Sequence, residues 1–286
     1  MLDIIYRYDP DHPNLREPAT PEEAKALLEQ GNRDFAHLLD KSYRFEEGQR
    51  VIPFDLSELG LDDGGGVPVQ RPFAAVLGCA DARVPIEMIF NQGSNSLFVV
   101  RVAGNVLGSE CEGSLDYAAE NFSHSMKLIV VLGHTRCGAV SAAVDSFLDP
   151  AKYLHVAQHD NLRIILDRLF ISVRVSVMAL ERAYGETVKT KAGYRDALVE
   201  MAIVVNAALA AHTIRKDLGT ANRHLLYGVY DLRSRLVRLP LAAHDEDALQ
   251  DAGLYEPPGD EKAFEELAAR LAHSPRTVHF LGLLTT

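Results

Sequence analysis

Three short, uninterrupted apolar runs, Phe73–Leu77, Leu97–Val100 and Leu128–Leu132, constrain the fold of this chain more than any other feature. Each consists of Val, Ile, Leu, Phe or Ala with no polar residue alternating through it. A half-exposed strand alternates apolar and polar side chains, so runs without alternation suit strands buried on both faces. Helix-like stretches separate them, at Pro85–Phe90 and around Ser114–Phe122, and a further helix is expected from near Cys137 through Val144. Strands alternating with helices imply an α/β fold, with a mostly parallel central sheet, flanking helices and right-handed crossovers. A later helix, Arg195–Leu218, and a strand at Leu225–Tyr230 extend the same pattern.

This pattern divides the chain into three parts. Residues 1–70 read as an N-terminal helical arm and loop. Thr20–Leu39 has helical periodicity, Thr20 and Glu23 have the spacing of a capping box, and LDDGGGVP within 57–69 is loop by composition. Residues 71–240 carry the α/β domain, interrupted at 149–194 by an inserted segment whose apolar and basic stretch RLFISVRVSVMALERAYG matches no single element. Residues 241–286 form an acidic C-terminal extension, with a break at Pro257-Pro258 and a helix at Glu261–Ala272. Its last apolar run, Val278–Leu284, reads as an edge strand or a subunit contact.

A formal net charge of −11 argues against general affinity for nucleic acid or for an anionic membrane surface. No uninterrupted apolar run reaches the roughly 18 residues of a transmembrane helix. The opening MLDIIYRYDPDHP lacks the apolar core of a secretory signal. Three cysteines are an odd number and cannot staple a fold of this size, so the expected compartment is the reducing cytoplasm, where thiolates are available to metal.

Two polar clusters follow the buried runs. Gly78-Cys79-Ala80-Asp81-Ala82-Arg83 comes after the first, and Gly133-His134-Thr135-Arg136-Cys137-Gly138 after the third. Ligands of open parallel sheets collect at the carboxyl ends of strands, which allows Cys79 to meet His134 and Cys137 despite their separation. Two thiolates and one imidazole suit zinc, and three protein ligands leave the fourth tetrahedral position open, as a catalytic site requires. The third cysteine, Cys111, lies elsewhere. Taken singly, each cysteine also reads as a small buried hydrophobe, and Asp81 with Arg83 as a structural ion pair. Beside zinc the pair acquires a gating role: Arg83 holds Asp81 away from the open position, and a released Asp81 closes it.

CADARVPIEMIF, LFVVRVAGN, SLDYAAENF and VVLGHTRCGAV resemble the successive signature segments of beta-class carbonic anhydrases, whose pattern is Cys-x-Asp-x-Arg followed by His-x-x-Cys. The resemblance is densest from Gln70 to Ala143 and extends to GNRDF near Gly31 and to Val229–Leu232. It implies a zinc (Zn2+) enzyme, with Cys79, His134 and Cys137 as ligands and Asp81 and Arg83 as the dyad beside them. It implies substrate-side roles for Gln70, Phe98 and Gly138, and places Tyr117 like a pocket tyrosine, offset by two residues. The implied activity is reversible hydration of carbon dioxide to bicarbonate and a proton, in a homodimer or higher homo-oligomer with the N-terminal helix packed on a neighbouring subunit. Ala82 and Val102 depart from frequent family choices, which leaves carbonyl sulfide or carbon disulfide hydrolysis on the same ligands as an alternative. A non-catalytic zinc- or bicarbonate-binding protein is a second. A thiol redox protein is disfavoured by the lack of a CxxC pair.

Overall fold

The apolar runs form strands whose side chains are buried on both sides. The computed structural model describes residues 3–9, 17–37, 49–61, 66–218, 224–242 and 252–283. The chain opens on β1 (Asp3–Tyr8), which pairs in parallel with β2 (Gln49–Phe54). This two-stranded ladder lies outside the expectation of a helical arm and loop. Between the two strands runs α1 (Pro21–Ala36), capped by the Thr20 hydroxyl, which accepts from the Glu23 N–H at 3.2 Å. Glu23 accepts in turn from the Ala19 N–H, one residue before the partner that a standard capping box would use. Leu38 and Leu39, included in the expected helix, lie outside the described residues.

The central sheet follows: β3 (Ala74–Cys79), a short α2 (Ile86–Ile89), β4 (Leu97–Val102), α3 (Ser109–Asn121) and β5 (Leu128–His134). After β5 come α4 (Gly138–Leu148), α5 (Pro150–Val156), α6 (Asp160–Tyr184) and α7 (Tyr194–Asp217), then β6 (His224–Tyr230) and β7 (Val237–Arg238). The strand order is β4-β3-β5-β6-β7, parallel except for β7. The mostly parallel sheet flanked by helices is the expected fold class.

Alternate residues of each strand supply opposite faces. Ala75, Leu77, Ile129 and Val131 join one core beneath α3, α4, α6 and α7, whereas Ala74, Val76, Leu128 and Val130 join another beneath α1 and α2. Helix α1 buries Ala24 and Leu28 completely in this second core. These buried positions of α1 therefore pack on this chain's own sheet. Gly31 is what permits that approach, because a Cβ there would lie 1.9 Å from the Phe90 carbonyl oxygen.

The 149–194 segment is helical. Leu166, Leu169, Val173, Val177 and Leu180 recur at helical spacing along α6 and are buried. Helix α7 is long and apolar enough to span a membrane by composition, and 83% of its apolar window is buried within the fold. Past β7, Ala252 and Tyr255 form antiparallel bridges to Arg238 and Tyr227, and the chain continues into α8 (Glu261–Ala272) and α9 (Pro275–Phe280). The edge strand expected at Val278–Leu284 is thus a helix over its first residues. Ser274 caps it, its hydroxyl accepting from the Thr277 N–H at 3.2 Å, and Pro275 opens the first turn. Leu284 lies outside the described residues.

Candidate metal centre

In sequence β3 precedes β4, yet β5 lies on the opposite side of β3, so the strand order reverses between β3 and β5. Crevices form where successive connections leave a sheet in opposite directions. Cys79 ends β3, His134 ends β5, and Cys137 is the N-cap of α4. Arg136 adopts φ 57°, the left-handed region that non-glycine residues rarely occupy, and turns the chain so that Cys137 comes back beside His134.

The ligating atoms of Cys79, His134 and Cys137 all lie within 4.8 Å of one another, and all three residues are buried. The two sulfurs are 4.0 Å apart. Zinc–thiolate bonds of about 2.3 Å in a tetrahedron place two sulfurs about 3.8 Å apart, so the donor set fits that ion. The His134 ring strengthens the fit. Its Nδ1 lies 3.0 Å from the Thr135 carbonyl, which can only accept, so Nδ1 carries the proton. Nε2 then offers a lone pair, and this buried atom has no hydrogen-bond partner.

The thiols are electrostatically unequal. Cys79 is held well below the ordinary thiol range, first by the hydrogen bond from Cys137 and then by His134 beside it. Cys137 is pushed up by that same bond, by burial and by the neighbouring thiolate. A second buried thiolate next to the first is unfavourable without a cation between them. Backbone N–H groups are directed at both sulfurs: Gly104 donates to Cys79 Sγ at 3.3 Å, and the first turn of α4 favours charge on Cys137. Asn206 of α7 donates to the Gly104 carbonyl at 2.9 Å and so fixes the first of these donors.

Asp81 and Arg83 form the expected pair. Arg83 donates through Nε to Oδ1 at 3.0 Å and through Nη2 to Oδ2 at 2.7 Å, and its own N–H reaches Oδ1 at 2.9 Å. The bonds from Arg83 hold the Asp81 carboxyl well below the usual carboxylate range. Asp81 Oδ2 lies 3.8 Å from His134 Nε2, at the rim of the three-ligand group. Arg101, to which the sequence reading gave no role, donates to the carbonyls of Cys79 at 3.0 Å and Asp81 at 2.6 Å. Its position in RVAGN, on the strand next to Cys79, was the available signal.

The substrate-side candidates divide. Gly138 follows Cys137 directly, is exposed, and has open space where a Cβ would be. Phe98 pairs with Ala75, four residues before Cys79, about 13 Å back along the strand. It packs there with Tyr117 and Phe122, ring centroids 6.4 and 5.9 Å away. Gln70 is exposed and precedes β3. Within one chain neither Phe98 nor Gln70 is brought to the ligand group. Gln70 precedes β3 and Phe98 lies on β4 beside Ala75, so both are towards the opposite end of β3 from Cys79, a separation that sequence spacing does not reveal.

A family model described as carbonic anhydrase matches residues 74–236, more than half of the chain, from the first residue of β3 to the residue before β7. This chain belongs to the beta-class carbonic anhydrase family. Carbonic anhydrase 2 of Mycobacterium tuberculosis (strain H37Rv) is 37% identical over 156 residues, covering 53% of this chain and 74% of that protein. The carbonic anhydrase of Mycolicibacterium smegmatis is 32% identical over 200 residues, covering 70% and 91%. Among solved structures, the beta-carbonic anhydrase CafA of Aspergillus fumigatus aligns over 69% of this chain and 82% of its own, at 18% identity and a TM-score of 0.42. Membership makes the chain a lyase of the carbonate dehydratase type. Beta-class carbonic anhydrases are metalloenzymes, and among the described residues Cys79, His134 and Cys137 form a group that could bind a metal.

Proposed function

We propose that the chain binds zinc through Cys79, His134 and Cys137 and hydrates carbon dioxide reversibly to bicarbonate and a proton. The observation that carries this reading is the convergence of two thiols and an unpartnered imidazole Nε2 at the reversal point of the sheet, with Asp81 at its rim. Zinc held there supplies the Lewis acidity that makes water a nucleophile near neutral pH.

The chain's own residues do the rest. Asp81, kept ionised by Arg83, accepts a hydrogen bond from the attacking water and orients it. Arg101 holds the backbone beneath Asp81, so the carboxylate swings only with its side chain. Gly138 leaves the approach over the first turn of α4 clear. Gln70 and Phe98 lie away from these groups, so their substrate roles require a second copy of the chain to bring them across, consistent with a homo-oligomer.

Stopped-flow hydration of carbon dioxide, with zinc measured on the same sample, tests the reading. Turnover that scales with bound zinc is expected, and a fully zinc-loaded chain without hydration activity would overturn it. Carbonyl sulfide run alongside separates the alternative substrate, and light scattering of the same preparation tests the assembly.

A further inference from the structure

Beneath the turn that joins His134 to Cys137, four charged side chains from distant parts of the chain meet. Arg276 of α9 donates through Nε to Glu200 Oε2 at 2.9 Å, with Nη2 2.8 Å from the same oxygen and Nη1 3.4 Å from Asp231 Oδ2. Arg238 of β7 donates to that Asp231 oxygen as well. Glu200, Asp231 and Arg238 are buried, and the Arg276 side chain is 16% exposed.

The same carboxylates reach the turn itself. Asp231 Oδ1 accepts from the Thr135 hydroxyl at 3.5 Å and from the Arg233 N–H at 2.9 Å. The Thr135 hydroxyl oxygen accepts from the Leu232 N–H at 3.1 Å. The backbone N–H of Arg136, the residue in the left-handed conformation, lies on the Glu200 side of the turn and favours charge on that carboxylate. Thr135 and Arg136 are the two residues between His134 and Cys137. Helix α9 is itself firmly seated: the Arg276 N–H donates to the Leu241 carbonyl at 3.0 Å, and a Cβ on Gly193 would lie 1.8 Å from the Phe280 carbonyl oxygen.

We propose that Arg276, on the C-terminal extension beyond the family match, is a positioning residue of the metal centre. Through Glu200 and Asp231 it holds the Thr135–Arg136 turn and thereby the aim of His134 and Cys137. The proposal rests on those two side chains, with Cys79, being metal ligands. Without Arg276, Glu200 would be a buried carboxylate lacking its cation, beside an Asp231 held by Arg238 alone, and the grip on the turn would loosen. Groups that orient ligands from behind typically contribute about 10- to 100-fold in metal affinity.

The test is zinc release from the full, zinc-loaded chain into a chromogenic chelator. Arg276→Lys, which cannot grip both carboxylates with a planar fork, should release zinc about 10-fold faster than wild type. Its cobalt-substituted form should show altered thiolate-to-metal absorption. Leu281→Ala loosens the packing behind α9 without touching the carboxylates, and should lower the thermal midpoint while releasing zinc at the wild-type rate. The double variant Arg276→Met with Glu200→Gln removes one charge of each sign, and should also release zinc faster if Arg276→Lys does not fold. Wild-type release and an unchanged cobalt spectrum in the folded Arg276 variants would overturn the proposal, as would equal acceleration in Leu281→Ala. A wild-type chain that takes up no zinc would overturn the ligand reading instead, and the positioning role with it.

Discussion

Replacing Arg83 by Ala tests the dyad most directly, and its magnitude can be worked from the geometry. Two charge-assisted hydrogen bonds, at 3.0 and 2.7 Å, hold Asp81, yet the Arg83 side chain is 57% exposed. Opposite unit charges at about 4 Å interact by about 1 kcal/mol in water and about 4 kcal/mol at an effective dielectric of 20. Exposed pairs typically deliver only about 0.2–1 kcal/mol once side-chain ordering and salt are counted, and forked geometry lies at the upper end. A bias of about 1 kcal/mol corresponds to a roughly 5-fold change in how often Asp81 is held in place. Stopped-flow turnover at saturating carbon dioxide should therefore fall about 5-fold in Arg83→Ala, with zinc content unchanged. Because Arg101 still grips the Cys79 and Asp81 carbonyls, the thermal midpoint should scarcely move. Arg83→Lys should recover part of the loss, since it restores charge without the fork. Wild-type turnover in a fully metallated Arg83→Ala would refute the reasoning.

Three further outcomes are expected. Cys79→Ala should lose zinc on metal analysis while Cys111→Ala, altered on α3 away from the ligand group, retains it; a full equivalent of zinc in Cys79→Ala would contradict the ligand role. Gly31→Ala should cost about 2 kcal/mol or more in denaturant unfolding, because α1 must back away from the rigid Phe90 carbonyl; an unchanged midpoint would contradict that packing. Asp145 of α4 is held below the usual carboxylate range by two bonds from Arg195 of α7, at 2.6 and 2.9 Å. A depressed folded value stabilises above the unfolded value of about 3.9 and fades as pH falls through the lower folded one. Thermal midpoints of wild type and Asp145→Asn should therefore differ by an amount equivalent to about 0.5–1 kcal/mol near pH 7 and converge in strong acid. A gap that persists at low pH counts against the pair.

The buried strands and the ligand clusters were legible because each is a local pattern. Uninterrupted runs mark strands covered on both faces, and Cys79 and His134 lie at the last positions of two of them. The helix α6 was not legible: Val and Ile crowd RLFISVRVSV, and only the fold shows that its buried positions follow the helical period. At α9 the Ser274-Pro275 start signal outweighs a short apolar run that resembles a strand. Pairings between distant segments were not legible. Nothing local to Asp3–Tyr8 indicates a partner at Gln49–Phe54, and Glu200, set among apolar residues on α7, shows its purpose only once Arg276 is folded against it. The same limit explains Gln70 and Phe98, which the fold leaves towards the far end of β3 from Cys79.

One consequence follows from the bond between the His134 ring and the Thr135 carbonyl. An ion arriving at the crevice meets a ring already turned by that contact, with Nε2 facing the two sulfurs, so little reorientation of this side chain is left to do. What loading must still change lies on the sulfurs, above all on Cys137, the more reluctant of the two thiols to ionise.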